Sequence, residues 1–194
     1  MAKKASTLFN MTLTLLTITA ISSASLGFMY QLTKTPKAAA EAAKLDFAIR
    51  AVSVKYDNSP LTDSYQIDSY DGGMPLTCYP AATGGEMQGV AVSTWTAKGY
   101  SGQVRLMVGF DKEGNIVGIS VLEQKETPGL GSRMTENAFI GQFGGKNPGK
   151  NKLSVKKDGG EIDAITAATI SSRAFCDAVN RAYMSVKAHQ NAGK

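Results

Sequence analysis

Residues 100–123 read YSGQVRLMVGFDKEGNIVGISVLE, and their spacing decides the fold. Val104, Leu106, Val108 and Phe110 alternate with Gln103, Arg105, Met107 and Gly109. Successive side chains of a strand point to opposite faces, so a period of two predicts a strand over Tyr100–Asp111. Asp111-Lys112-Glu113-Gly114-Asn115 has turn chemistry. Ile116–Glu123 then returns as a second strand with Val117, Ile119 and Val121 on one face. The pair reads as an antiparallel hairpin with one packed face.

Working outward, Gly89–Thr96 predicts another strand, and residues 61–85 are turn-rich, with Asp71-Gly72-Gly73 and Gly84-Gly85. Ala38–Val52 is alanine-rich, free of Gly and Pro and opened by Pro36, which predicts a helix broken again at Asn58–Pro60. Downstream, residues 126–151 are irregular and glycine-rich, and Lys152–Val155 predicts a short strand. Arg173–Lys187 predicts an amphipathic helix with Phe175, Val179, Tyr183 and Val186 on one side. Strands followed by a helix, without repeated βαβ alternation, give an α+β class.

The N-terminal stretch is different in kind. No charged residue occurs from Ala5 to Thr33, and the apolar centre Leu8–Leu32 is rich in Thr and Ser. About 20 such residues cross a bilayer core. The hydroxyls can bond backbone carbonyls of the same helix or reach neighbouring helices. Lys3-Lys4 and the small residues Ser23–Ser25 also fit a cleaved signal peptide. The apolar run continues past them through Leu26, Phe28 and Leu32, which favours a retained anchor. The reading is a tail and transmembrane helix over 1–34, a stalk helix and linker over 35–60, and a folded domain over 61–194. Lysines lie on both sides of the span, so charge does not fix its orientation.

The net charge of +5 is modest and scattered, with no basic stripe suited to nucleic acid. Two distant cysteines, Cys78 and Cys176, and one histidine, His189, form no metal-binding pattern. A disulfide between the cysteines stays open on sequence grounds. No nucleophile–base constellation is evident, so no catalytic residue is assigned.

Two motifs carry chemistry. Asp163-Ala164-Ile165-Thr166-Ala167-Ala168-Thr169-Ile170-Ser171-Ser172 crowds hydroxyls before the last helix, with Ser171 or Ser172 as its N-cap. Unpaired amides and the helix dipole make such a terminus a seat for phosphate, and Thr169 can carry a phosphate as an ester. A capped helix without a ligand explains the same run. Glu126-Thr127-Pro128-Gly129-Leu130-Gly131 follows the hairpin, and its glycines let backbone approach a flat ligand. Taken alone, that motif reads more readily as a plain loop.

The anchor, Gly99-Tyr100-Ser101-Gly102, the hairpin and both motifs together resemble the FMN-binding G subunit of the Rnf ion-translocating electron-transport complex. A near relative is the C subunit of the sodium-translocating NADH:quinone reductase. The resemblance implies an FMN-binding domain, an antiparallel sheet with flanking helices, behind one N-terminal transmembrane helix. It implies FMN joined through its phosphate to Thr169. Glu126, Thr127, Gly129 and Leu130 would lie near the flavin, with Asp163, Thr166, Ala168, Ser171 and Ser172 completing the site. Ala167 stands where that family usually has Gly. The implied partners are the other membrane subunits of the Rnf complex, a flavin transferase for maturation, and membrane lipid. The implied location is the cytoplasmic membrane, N-terminus inside and flavin domain outside. A stand-alone anchored flavoenzyme and an exported non-redox binding module are the other readings.

Overall fold

A computed structural model describes residues 7–192. Lys3-Lys4 and the start of the apolar stretch, Ala5 and Ser6, lie outside the described residues. The chain divides after Ala43 into two compact units. The elements are α1 (Leu8–Val52), β1 (Tyr65–Ile67), β2 (Leu76–Thr83), β3 (Glu86–Gly99), β4 (Gly102–Asp111), β5 (Ile116–Glu123), α2 (Asn137–Ile140) and α3 (Thr169–Ala192), with 3-10 turns at Gly131–Thr135, Gly141–Phe143 and Lys156–Asp158.

In the first unit, α1 is exposed along its apolar length from Leu8 to Leu32. By length and composition it is long and apolar enough to cross a membrane. The threonines of the apolar stretch satisfy themselves. The hydroxyls of Thr12, Thr14, Thr17, Thr19 and Thr33 donate to carbonyls four residues back, at 2.7–2.9 Å. A hydroxyl bonded this way costs far less in hydrocarbon than a bare one. Pro36 lies inside α1, so the helix predicted over Ala38–Val52 is its continuation.

In the second unit the five strands form one antiparallel sheet in the order β1-β2-β3-β4-β5. The predicted hairpin is β4 and β5 at its edge. One sheet face packs on α3: Val104, Leu106, Val108 and Phe110 meet Phe175, Val179 and Ala182. Burying side chains of this size stabilises by roughly 1.5–3 kcal/mol each.

The hairpin is packed on both faces, where its alternation predicts one. Met107 and Leu122 point away from α3 and join Tyr79 and Ala91 under Ala48, Ile49 and Val52 at the end of α1. Gly109 and Gly118 are cross-strand partners on that face. A Cβ on Gly109 would sit 1.8 Å from the Val52 carbonyl oxygen. The Gly109–Gly118 pair is therefore a flat floor on which the helix end rests.

Val117 is not on the core face either. Gly109 pairs with Gly118 and Phe110 with Ile116, so Val117 is the extra residue of a β-bulge and is exposed. The bulge puts Ile116 in the core instead. Residues 61–85 hold β1 and β2 as well as turns, a correction to the turn-rich reading. Pro80 obscured β2, but β1 pairs only with residues 76–78, so Pro80 lies on a stretch of strand open on one side. Lys152–Val155 is not a strand: only Val155 bridges, to Ile162. Phe139 meets Phe175 edge-on at 5.1 Å and Phe143 packs tilted against it at 5.0 Å, which fixes the irregular 131–143 segment against α3. Cys78 and Cys176 are free and buried, not bridged. Burial pushes each thiol up to about 12.

Candidate functional site

Two tight turns of one kind face each other. In the first, the Leu130 amide donates to the Thr127 carbonyl at 3.1 Å, and Gly129 has φ +76°. Pro128 at the second position and a positive φ at the third define a type II turn. The Gly129 amide also donates to Ser132 Oγ at 2.9 Å, seating the following 3-10 turn. In the second, the Ala168 amide donates to the Ile165 carbonyl at 3.0 Å, and Ala167 has φ +60°. Ala167 is thus the described non-glycine residue in the left-handed region, at a position where a type II turn favours Gly.

Ser172 braces that second turn. Its hydroxyl accepts from the Ile165 amide at 2.9 Å and donates to the Ala168 carbonyl at 3.0 Å. The predicted cap shifts accordingly. The helix begins at Thr169, and the Ala168 carbonyl accepts its first amide bond, from Ser172. Ser171 and Ser172 are buried residues of the first turn rather than N-caps, because the loop folds back over them.

Between the turns lies a cleft of about 550 Å³, lined by Tyr100, Glu126, Thr127, Leu130, Gly131 and residues 167–171. Its floor is polar. Glu126 is 5% exposed, and both its oxygens accept: Oε1 from the Ser101 amide at 3.1 Å, Oε2 from Ser171 Oγ at 2.6 Å. A Cβ on Gly131 would come within 2.6 Å of Glu126 Oε2, so only glycine leaves that carboxylate its place. The rim is apolar. Tyr100, Leu130 and Ile170 are all exposed there. Thr169 is half-buried on the wall, and among the described residues no hydrogen bond engages its hydroxyl.

Of the residues singled out from sequence, Glu126, Thr127, Leu130, Ala168, Thr169 and Ser171 come together on this cleft. Gly129 shapes a turn, and Ser172 holds the loop. Asp163 and Thr166 face a separate hollow of about 170 Å³ with Arg133, Glu136 and Gln142. Asp163 there pairs with Lys156 at 2.8 Å, and its amide donates to Gln142 Oε1 at 2.7 Å. Tyr100, Gly131, Ala167 and Ile170 were not among the site residues read from sequence. An exposed aromatic in the two-residue link between β3 and β4 was the available signal for Tyr100.

An apolar rim for a planar ring, a polar floor, and a free hydroxyl at a helix N-terminus for a phosphate fit a flavin mononucleotide. Residues 99–184 match the FMN-binding domain family. The G subunit of the ion-translocating oxidoreductase complex of Vibrio cholerae is 34% identical over 144 residues, covering 70% of this chain and 69% of that protein.

The chain belongs to this G-subunit family.

The G subunit of Shewanella loihica is 37% identical over 121 residues, covering 60% of this chain and 57% of its own length. That of Stutzerimonas stutzeri is 37% identical over 132 residues, covering 66% and 57%. The chain thus spans about three fifths of the length of the first relatives it matches. The resemblance drawn from the two motifs and the anchor is borne out by these relatives. Among solved structures, NqrC of Shewanella oneidensis gives a TM-score of 0.48 at 20% identity, covering 61% of this chain and 60% of that one. The C subunit of the Na(+)-translocating NADH-quinone reductase from Parabacteroides distasonis gives 0.47 at 20% identity, covering 69% and 70%.

Proposed function

We propose that this chain is a membrane-anchored electron carrier that holds FMN, joined by a phosphoester to Thr169, within an ion-translocating oxidoreductase complex of the Rnf type. The observation that carries the reading is the unengaged Thr169 hydroxyl at the first position of α3, on the wall of the cleft that Glu126 and the 127–130 turn close.

FMN supplies reversible redox chemistry when bound; the protein supplies position, exclusion of water and electrostatics. Each residue then has a task. Thr169 Oγ would tether the phosphate, and the free amides of the first turn of α3 would meet its charge. Tyr100, Leu130 and Ile170, exposed on the rim, would cover the ring and exclude water from it. Gly131 leaves the Glu126 carboxylate its place beneath the site that the ring would occupy. A tether makes the carrier a fixed relay that cannot diffuse away. A flavin transferase installs it during maturation. The apolar part of α1 is retained in the cytoplasmic membrane in contact with lipid and other subunits, N-terminus inside and the 61–194 domain outside.

Thr166 is the competing attachment site, since it too lacks a hydrogen-bond partner among the described residues, but it faces the small hollow. Thr169→Val abolishes the mass gain of one FMN on the intact protein, and Thr166→Val retains it. Intact mass and peptide mapping over 161–173 check both. Full flavin on the Thr169→Val protein would falsify the attachment.

A further inference from the structure

The cleft contains a buried carboxylate with no cation beside it. Among the described residues no lysine or arginine pairs with Glu126. The two nearest along the chain are engaged elsewhere: Lys125 reaches toward Glu123 at 4.0 Å, and Arg133 pairs with Glu136 at 3.2 Å. A carboxylate kept out of water is costly unless something holds it. Here the holding is built. The Ser101 amide and the Ser171 hydroxyl each donate to one oxygen. Gly99 and Gly131 leave the space, since a Cβ on either would come within 2.7 Å of a Glu126 oxygen. Ser171 is in the first turn of α3, so the positive end of the helix dipole, about half a charge, lies near. Three separate segments are arranged around one negative charge.

The two donors and the partial charge of a helix end place no full positive charge against Glu126. Its field therefore acts on whatever occupies the cleft. Adding an electron to a ligand beside a fixed negative charge is disfavoured, and the weak screening of a buried site keeps that effect large.

We propose that Glu126 is a potential-setting residue: its unpaired, buried carboxylate on the cleft floor makes the bound flavin harder to reduce. This rests on FMN occupying the cleft, as above. It treats Glu126 as an electrostatic group on the redox equilibrium rather than only a contact.

The test is a spectroelectrochemical titration of the full-length, flavin-loaded protein in detergent. Glu126→Gln keeps shape and removes charge. It raises the midpoint potential by at least a tenfold change in the reduction equilibrium, about 30 mV for a two-electron couple. Glu126→Asp keeps the charge and stays closer to the parent than Glu126→Gln does. A Glu126→Gln potential equal to or below the parent's overturns the proposal, as does a rise matched by Glu126→Asp. Should Glu126→Gln not give folded protein, Ser171→Ala decides. It removes a donor while keeping the charge, so the potential falls; an unchanged or raised value overturns the idea. Parent protein purified without any flavin signal would sink the cofactor reading itself, an outcome distinct from flavin present with unmoved potential.

Discussion

Ala167 has φ +60°, and its side chain is exposed. An L residue in that region suffers contact between Cβ and backbone, costing roughly 1–2 kcal/mol. Glycine avoids the contact but loses more entropy on folding, roughly 0.5–1 kcal/mol. The balance favours glycine. Ala167→Gly therefore stabilises the domain by about 0.5–1 kcal/mol and raises the melting temperature by ~2 °C in a thermal unfolding scan. A lowered melting temperature would show that the methyl group makes a compensating contact. The same turn gives a physical reason for the glycine that the resemblance leads one to expect here: the third position of a type II turn favours it. Flavin loading of Ala167→Gly is expected to be no lower than the parent's, since Thr169 and the helix start keep their positions.

At the scale of elements, the end of α1 rests on the Gly109–Gly118 pair. The atom that a Cβ at Gly109 would strike is a main-chain oxygen, which no rotamer change can move. Gly109→Val therefore separates the end of α1 from the sheet and destabilises the second unit by about 3 kcal/mol or more in denaturant titration. Gly141→Ala is the control. Nothing lies within 4 Å of its Cβ position, so its effect stays within about 0.5 kcal/mol. These elements were unequally legible in the sequence. β4 declared itself because Val104, Leu106, Val108 and Phe110 keep strict alternation across one core. Its second buried face did not, since Met107 and Gly109 read as the solvent side until the end of α1 is laid on them. The bulge at Val117 is invisible to periodicity, which assumes unbroken register. The candidate site was legible where its residues are contiguous, as in 126–131 and 168–171, whereas Asp163 and Thr166 of the same run face the separate hollow. It was not where the fold joins them: the Ser171–Glu126 bond spans 45 residues, and Tyr100 meets both motifs only through the β3–β4 link.

At the scale of the whole molecule, the two units differ in what they offer to solvent. The first exposes an apolar helix whose threonine hydroxyls are already satisfied by its own carbonyls, a surface suited to hydrocarbon. The second buries both of its cysteines. Raised to about 12, these thiols hold almost no thiolate at neutral pH, and thiolate is the species that alkylating reagents attack. The parent protein is therefore expected to stay unlabelled by a charged maleimide until it is unfolded. That silence makes an introduced cysteine a clean reporter of topology. Ala2→Cys samples the N-terminal tail, and Lys157→Cys an exposed position of the domain. With the anchor retained and the domain outside, Lys157→Cys reacts with a membrane-impermeant maleimide in cells with a permeabilised outer layer, while Ala2→Cys reacts only after the inner membrane is opened. The reverse pattern would invert the proposed orientation. Recovery of the labelled domain in the soluble fraction, without residues 1–34, would show a cleaved leader in place of the anchor. A relay fixed to the membrane also has a functional signature. If the chain is the proposed relay, electron flow through the assembled complex is expected to be lost with Thr169→Val in a chain that still folds and inserts. Unimpaired flow would mean that electrons pass the complex by a route that does not include this cleft.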